Sequence, residues 1–198
     1  MGRNIGGTCK SHALTPLDVS TVHPHMLEGG WHFVDPANAN KAPAPASEHS
    51  FDTFPNATTD KLHGSKYMNE LYRRAQPDYN ARFTVPVLWD TKHSTIVNNE
   101  SSELIRDLNS GFNPILPDGE KKALDLYPEA LRQEIDELNE WVYNDVNNGV
   151  YKSGFATTQE AYEKAVVPLF AALDKLEKRL SDGREFLIGG KLTEADVR

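Results

Sequence analysis

Cysteine is almost missing from this chain. Cys9 is the single one in 198 residues, so no disulfide can form within it, and a reducing, cytoplasmic setting is the simplest expectation. Long apolar runs are missing too. No segment approaches the roughly 18 apolar residues that a bilayer-spanning helix takes, and no charged start followed by an apolar run suggests a secretory signal. Basic charge is in deficit: 21 Lys and Arg stand against 29 Asp and Glu, a net charge of −8. That argues against a nucleic-acid partner and against an anionic membrane surface. The small basic groups, Arg73-Arg74 and Lys175, Lys178, Arg179, read as solvated helix faces, the second because it alternates with Asp174 and Glu177. Hydrophobic residues make up only 38%, and the shortage is concentrated in residues 36–60.

What is present is organised in segments. Residues 1–16 hold Gly2, Gly6 and Gly7 and little that could form a core. Leu17 to Val22 alternates apolar and polar side chains, which predicts a short strand ending at His23-Pro24-His25. Four prolines between 35 and 60 predict a long loop. The pattern from Asp60 to Arg74 predicts a helix with Leu62, Tyr67 and Leu71 near one face. Phe83 to Asp90 and Thr95 to Val97 predict a β-hairpin, and Glu100 to Leu108 a helix with Leu104, Ile105 and Leu108 inward. Gly111, Pro114, Pro117 and Gly119 mark a linker. Beyond it, Leu131, Ile135, Leu138, Val142 and Val146 form one helical stripe, with Asn147-Asn148-Gly149 as its stop. Thr157 and Glu160 form a capping pattern for a further helix. Its stripe is Ala161, Ala165, Leu169, Leu173, Leu176 and Leu180, with Pro168 inside. Thr193 with Asp196 caps one more helix near the last residue.

The step Val85-Pro86, followed shortly by Asn99-Glu100-Ser101-Ser102, can carry chemistry. A cis proline would turn the Val85 N–H and C=O outward, where an extended peptide could pair with them as an added strand. Glu100 and Ser101 would lie at a helix N-terminus, where free amides and a hydroxyl receive a carboxylate and Glu100 receives an ammonium. A γ-glutamyl end carries both groups. The same spacing also fits an edge strand begun by proline and an ordinary helix cap.

Several runs together resemble the glutathionyl-hydroquinone reductases, the xi-class branch of the glutathione transferases close to the omega class. They are Thr84 to Asp90, Thr95 to Glu103, Val146 to Thr157, Val22 to Met26 with Gly30-Trp31, and Leu192 to Arg198. The stretch Asn147-Asn148-Gly149-Val150-Tyr151-Lys152 is particular to this branch. The resemblance implies an α/β glutathione-transferase fold with a thioredoxin-like N-terminal domain and an all-helical C-terminal domain. It implies residues 17–112 and 127–198 as incomplete versions of these, with 113–126 as linker and 1–16 unmatched. Glutathione is the implied co-substrate and a quinone-type molecule the implied partner, with a homodimer possible in the full-length family. Trp31, Arg82, Phe83, Thr84, Val85, Glu100 and Ser101 are the implied glutathione contacts. Tyr151 is the implied proton donor or acceptor at the hydroquinone. Read without the resemblance, Trp31 could anchor a loop and Tyr151 could pack between helices.

The chain also departs from the family. The family's nucleophilic cysteine lies in a Cys-Pro-Trp-Ala-His-type motif that should precede Leu17, and residues 1–16 do not hold it. Cys9 lacks a helix N-terminus to lower its pKa, although His12 is three residues away. The chain is therefore expected to be a middle portion, inactive by itself, or else a non-catalytic protein that at most binds glutathione or a partner. His23 and His25 could pair on a metal, but no third ligand stands at an obvious spacing, so no metal is expected.

Overall fold

The computed structural model describes residues 17–26, 28–35, 57–115 and 124–198. They form two compact units, one up to Leu104 and one from Ile105. Cys9, His12 and most of the expected loop at 35–60 lie outside the described residues, as do residues 116–123 of the linker.

In the first unit, Asp60 decides where the chain turns. Its carboxylate accepts from the backbone N–H of Leu62 (3.0 Å), His63 (3.2 Å) and Ser65 (3.0 Å). Burial pushes this carboxyl up, but the bonds from Ser65, His63 and Leu62 outweigh it and hold it below the usual range. An aspartate committed to three nearby amides makes a turn, not a helix. Helix α1 therefore spans Met68–Ala75 and does not begin at Asp60, and Leu62, expected inward, is exposed. Glu70 closes the first turn by accepting from the Tyr67 N–H at 3.0 Å. Met68, Leu71 and Tyr72 face inward onto Phe33, with Trp31, Phe83, Val85 and Trp89 partly buried around them.

The strand expected at Leu17–Val22 is not formed. Among the described residues its backbone is bonded only at Thr21, whose O accepts from Thr58 N–H at 2.8 Å and whose N–H donates to Thr58 Oγ1 at 2.9 Å, and Leu17 and Val19 are exposed. The hairpin is present: β1 (Leu88–Asp90) and β2 (Thr95–Asn98) are antiparallel, with a bulge between Leu88 and Trp89. Phe83 to Val87 stays outside the ladder, since Pro86 has no N–H to contribute. Asp90 orders the turn, accepting from Lys92 N–H (2.8 Å), His93 N–H (3.0 Å) and His93 Nδ1 (2.6 Å). Helix α2 follows at Ser101–Ser110, with Leu104 buried but Leu108 exposed.

In the second unit, α3 (Arg132–Trp141) passes through a π-helical turn (Val142–Asn147) into α4 (Asn148–Gly154). The helix thus continues past Asn147-Asn148-Gly149, the predicted stop. A π turn absorbs an extra residue without breaking the hydrogen-bonded path. Ile135, Leu138 and Val142 are buried, with Leu131 and Val146 partly buried beside them, as their spacing predicted. Helix α5 spans Gln159–Leu180 and contains Pro168. Its cap is Thr158, whose Oγ1 accepts from Ala161 N–H at 3.2 Å, one residue later than the pattern suggested. Its buried face centres on Leu169 and Ala172, while Leu173 and Leu180 stay exposed. Gly149 faces α5 so closely that an added Cβ would lie 3.4 Å from Leu169 Cβ. Helix α6 spans Glu194–Val197, and the N–H and hydroxyl of Thr193 donate to Asp196 at 2.9 and 3.0 Å, forming the expected cap.

Gly149→Ala should be neutral or stabilise by up to about 1 kcal/mol, because the new methyl meets Leu169 at ordinary contact distance and alanine favours helix. Gly149→Val should cost roughly 1–3 kcal/mol in urea unfolding through overpacking. A second expectation concerns acid. The hydrogen bonds from His93, first its side chain and then its backbone N–H, lower the Asp90 pKa to about 2. Because the folded value is depressed, this stabilisation is full above the ordinary carboxylate pKa of about 4 and is lost as pH falls through 2. Hydrogen exchange at the β1–β2 amides should rise over that window, and Asp90→Asn should remove the pH dependence.

Candidate functional site

The approach to the hairpin is fixed by an uncharged hydrogen-bond cluster. The Tyr72 hydroxyl, carried by α1, donates to Thr84 O at 2.9 Å. Asn99 Nδ2, just before α2, donates to Thr84 Oγ1 at 2.8 Å and to the Tyr72 hydroxyl at 3.0 Å. Thr84 immediately precedes the Val85–Pro86 peptide bond, which is cis. Three chain segments that chemistry would need together are thus tied: the helix behind, the proline-bent edge and the entry to α2. Two further contacts steady this edge. Tyr79 donates its hydroxyl to Arg82 O at 2.9 Å, and Phe83 packs edge-on to Tyr72 with Arg73 over its face.

Asn98 shapes the helix entry by accepting from Glu100 N–H at 2.9 Å and donating to Glu103 Oε2 at 3.0 Å. Glu100 O accepts from the N–H of Glu103 and Leu104, which makes Glu100 the residue that starts α2. The Glu100 carboxylate holds the Ser102 hydroxyl at 3.1 Å and is exposed, as is Ser101. One anionic carboxylate therefore stands beside a helix N-terminus whose positive dipole end favours an anion. The pair is suited to a ligand bearing both signs of charge on neighbouring atoms.

The structure brings Thr84, Val85, Glu100 and Ser101 into one construction. Phe83 and Val85 share the apolar cluster behind it with Trp31, whose carbonyl accepts from Met68 N–H at 2.9 Å. Arg82 is exposed at the edge of this segment. Tyr151 belongs to the second unit, on α4, and is 66% exposed. Tyr72 and Asn99 were missed by sequence reasoning as the fasteners of this region. The pair Asn98-Asn99 directly before Glu100-Ser101 was the available signal, since asparagine commonly binds backbone at helix entries.

His23 Nδ1 accepts from His25 N–H at 3.1 Å, and the His23 ring stacks on His32. Among the described residues no group of three or more His, Cys, Asp or Glu is placed to hold a metal ion. A cleft of about 210 Å³ in the second unit is lined by Arg106, Asn109, Asp125, Tyr127 and Arg132 among others, and by none of the residues singled out from the sequence. Among the described residues no helix is long and apolar enough to cross a membrane.

A family model for the glutathione S-transferase C-terminal domain matches residues 159–198. Glutathionyl-hydroquinone reductase YqjG from Escherichia coli is 48% identical over 92% of this chain and 49% of its own. The crystal structure of glutathione transferase Xi 1 from Trametes versicolor is 56% identical, with a TM-score of 0.78 over 92% of this chain and 56% of that one. The glutathione-bound structure of YqjG gives a TM-score of 0.80 at 46% identity, over 97% of this chain and 56% of that one. The fold is that of the glutathione transferases, and the resemblance to the xi class and to glutathionyl-hydroquinone reductases holds along nearly the whole chain. The chain spans about half the length of the curated relatives it matches.

Asn99→Ala removes two hydrogen bonds at once, one partly buried and one exposed. It should lower stability by about 1–2 kcal/mol and loosen the Thr84 segment, read as faster amide exchange at Phe83 and Val85. Asn98→Ala, which leaves Thr84 held, should not change exchange there.

Proposed function

We propose that this chain, which resembles the xi-class glutathione transferases, binds glutathione and serves the reduction of glutathionyl-hydroquinones. The observation that carries the reading is the segment before Pro86, fastened through Thr84 to Asn99 beside the exposed Glu100 and Ser101. The Val85 backbone N–H and C=O would pair with the peptide part of glutathione as an added strand does. Glu100 would accept the γ-glutamyl ammonium, while the Ser101 hydroxyl and the α2 amides would receive its carboxylate. Trp31, Arg82 and Phe83 would border the bound tripeptide. The glutathione-bound structure of YqjG supports this use of the fold.

The family's chemistry needs a thiolate. Attack on the glutathione sulfur of the substrate breaks its bond to the hydroquinone carbon, which takes up a proton, and forms a mixed disulfide. A second glutathione then releases the enzyme thiol. Tyr151 would donate to or accept from a phenolic oxygen during this exchange. Cys9 is the only thiol among these 198 residues and is not set in the family's motif. We therefore assign the chain as given glutathione binding without reductase turnover, in a cytoplasmic setting. That absence of a suitable thiol also favours a second reading, a non-catalytic glutathione-binding protein.

Calorimetric titration of the 198-residue chain with glutathione tests the site. Glu100→Gln should weaken binding roughly ten- to a hundredfold, the worth of a hydrogen bond to a charged group, and Ser101→Ala by a smaller factor. No glutathione binding by the unaltered chain, or unchanged affinity in Glu100→Gln, would defeat the assignment. Robust turnover of a glutathionyl-hydroquinone that Cys9→Ser abolishes would overturn the statement about the thiol.

A further inference from the structure

The cleft of about 210 Å³ in the second unit has walls that are fixed by their own hydrogen bonds. Asn109 donates from Nδ2 to Asp125 Oδ1 at 3.0 Å and accepts from Leu126 N–H at 2.8 Å. The same Asp125 oxygen accepts from Tyr127 N–H at 2.9 Å. Arg132 donates from Nε to Tyr127 O at 3.2 Å and lies over the Tyr127 ring. Each of these two charged side chains is therefore anchored by one edge. Both Asp125 bonds end on Oδ1, which leaves Oδ2 unused. The Arg132 bond uses Nε, which leaves both terminal nitrogens unused. Asp125 and Arg132 line the same cleft and are exposed, yet among the described residues neither forms an ion pair, with the other or with any third group. The half-buried Asn113 carboxamide lines the cleft as well and has no hydrogen-bond partner among the described residues.

Arg106 also lines this cleft, but Glu194 and Asp136 already hold its charge. The lining thus presents one unpaired cation and one unpaired anion at fixed places. A simple anion would meet Arg132 but be repelled by Asp125, and a simple cation would meet the reverse. A ligand with both signs of charge satisfies the two at once. The volume lies below the roughly 300–1,000 Å³ of sites for drug-sized ligands, so the ligand is small. Among the described residues that line the cleft, Leu124 alone is aliphatic, so the body of the ligand is polar too. We propose that the cleft binds a free α-amino acid with a polar side chain. Its carboxylate would meet the terminal nitrogens of Arg132, its ammonium Asp125 Oδ2, and its side chain the Asn113 carboxamide. Because Asp125 and Arg132 are ordered by bonds they already make, binding has little left to freeze in them.

The test is calorimetric titration of the 198-residue chain with L-asparagine and two analogues. L-asparagine α-amide lacks the carboxylate, and N-acetyl-L-asparagine lacks the ammonium. Each analogue should bind about tenfold or more weakly than L-asparagine, the worth of one hydrogen bond between charged groups. Arg132→Gln should raise the Kd for L-asparagine by a similar factor but leave that of the α-amide unchanged. Asp125→Asn, which keeps an oxygen for the Asn109 and Tyr127 bonds, should weaken L-asparagine and spare the N-acetyl analogue. A merely structural role for either residue would weaken all three ligands alike, and that result would overturn the proposal. So would no binding of L-asparagine by the unaltered chain, or equal affinity for L-asparagine and either analogue. These ligand comparisons on the unaltered chain decide the matter even where a variant fails to fold. Sodium acetate that binds as tightly as L-asparagine would reduce the cleft to an anion site and refute the assignment. Saturating glutathione should leave the L-asparagine Kd unchanged, whereas competition between the two would place the amino acid elsewhere and refute it as well.

Discussion

One amide side chain holds the first unit in the shape a ligand would need. Asn99 reaches back across the hairpin to Thr84 and Tyr72 with a single nitrogen, and the two bonds measure 2.8 and 3.0 Å. Without that nitrogen, the segment before Pro86 would keep the Tyr72 hydroxyl at Thr84 and the Tyr79 bond to Arg82 O, but nothing from the α2 entry. The entry to α2 would then lose its link to that segment. The group is uncharged, so its strength does not vary with pH or salt across the physiological range. A site meant to discriminate a charged ligand gains from a neutral frame, because the frame does not compete with Glu100 or the α2 terminus for that charge.

Much of this was readable from residue pattern, for a physical reason. Spacing reports which face of a regular element is apolar, and Ile135, Leu138 and Val142 behave as their three- and four-residue intervals require. The hairpin was readable because two β-favouring runs flank a polar turn. The misplaced pieces share a different cause: each depends on a partner distant in sequence or on a local side-chain bond that outcompetes periodicity. Leu17 to Val22 alternates correctly, but among the described residues its backbone is bonded only at Thr21, to Thr58. Asp60 takes the amides that would otherwise enter a helix. The π turn carries the chain through an Asn-Asn-Gly sequence that ordinarily ends a helix. The candidate site could be proposed from the sequence because Pro86, Glu100 and Ser101 lie close together in it. Its fastening was not, because Tyr72 is 27 residues from Asn99.

Tyr151 is carried by α4 in the second unit. Its position on α4 follows from the π turn and from Gly149, the residue that lets α4 approach α5. The π turn and the close approach at Gly149 set the course of the backbone that carries Tyr151.

The second unit solves a harder electrostatic problem. Glu194 is completely buried, an arrangement that would cost several kcal/mol if its charge stood alone. Arg106 meets it with two parallel bonds, Nε to Oε2 at 2.9 Å and a terminal nitrogen to Oε1 at 3.1 Å, and Asn139 adds a third donor at 3.1 Å. The Arg106 side chain also bonds Asp136 and lies over the Tyr127 ring, so its guanidinium is partnered on its edges and on a face. These contacts, that to Glu194 foremost, hold Arg106 firmly protonated. Helix α6 is only four residues long, too short to persist through its own hydrogen bonds. The Thr193–Asp196 cap supplies its missing partners, and the Glu194 pair fixes where the turn docks. A buried apolar residue at 194 could supply comparable burial, but it could not specify Arg106 as its neighbour. Choice of partner is therefore what the buried charge adds, and that choice places α6 against α3 in a single register.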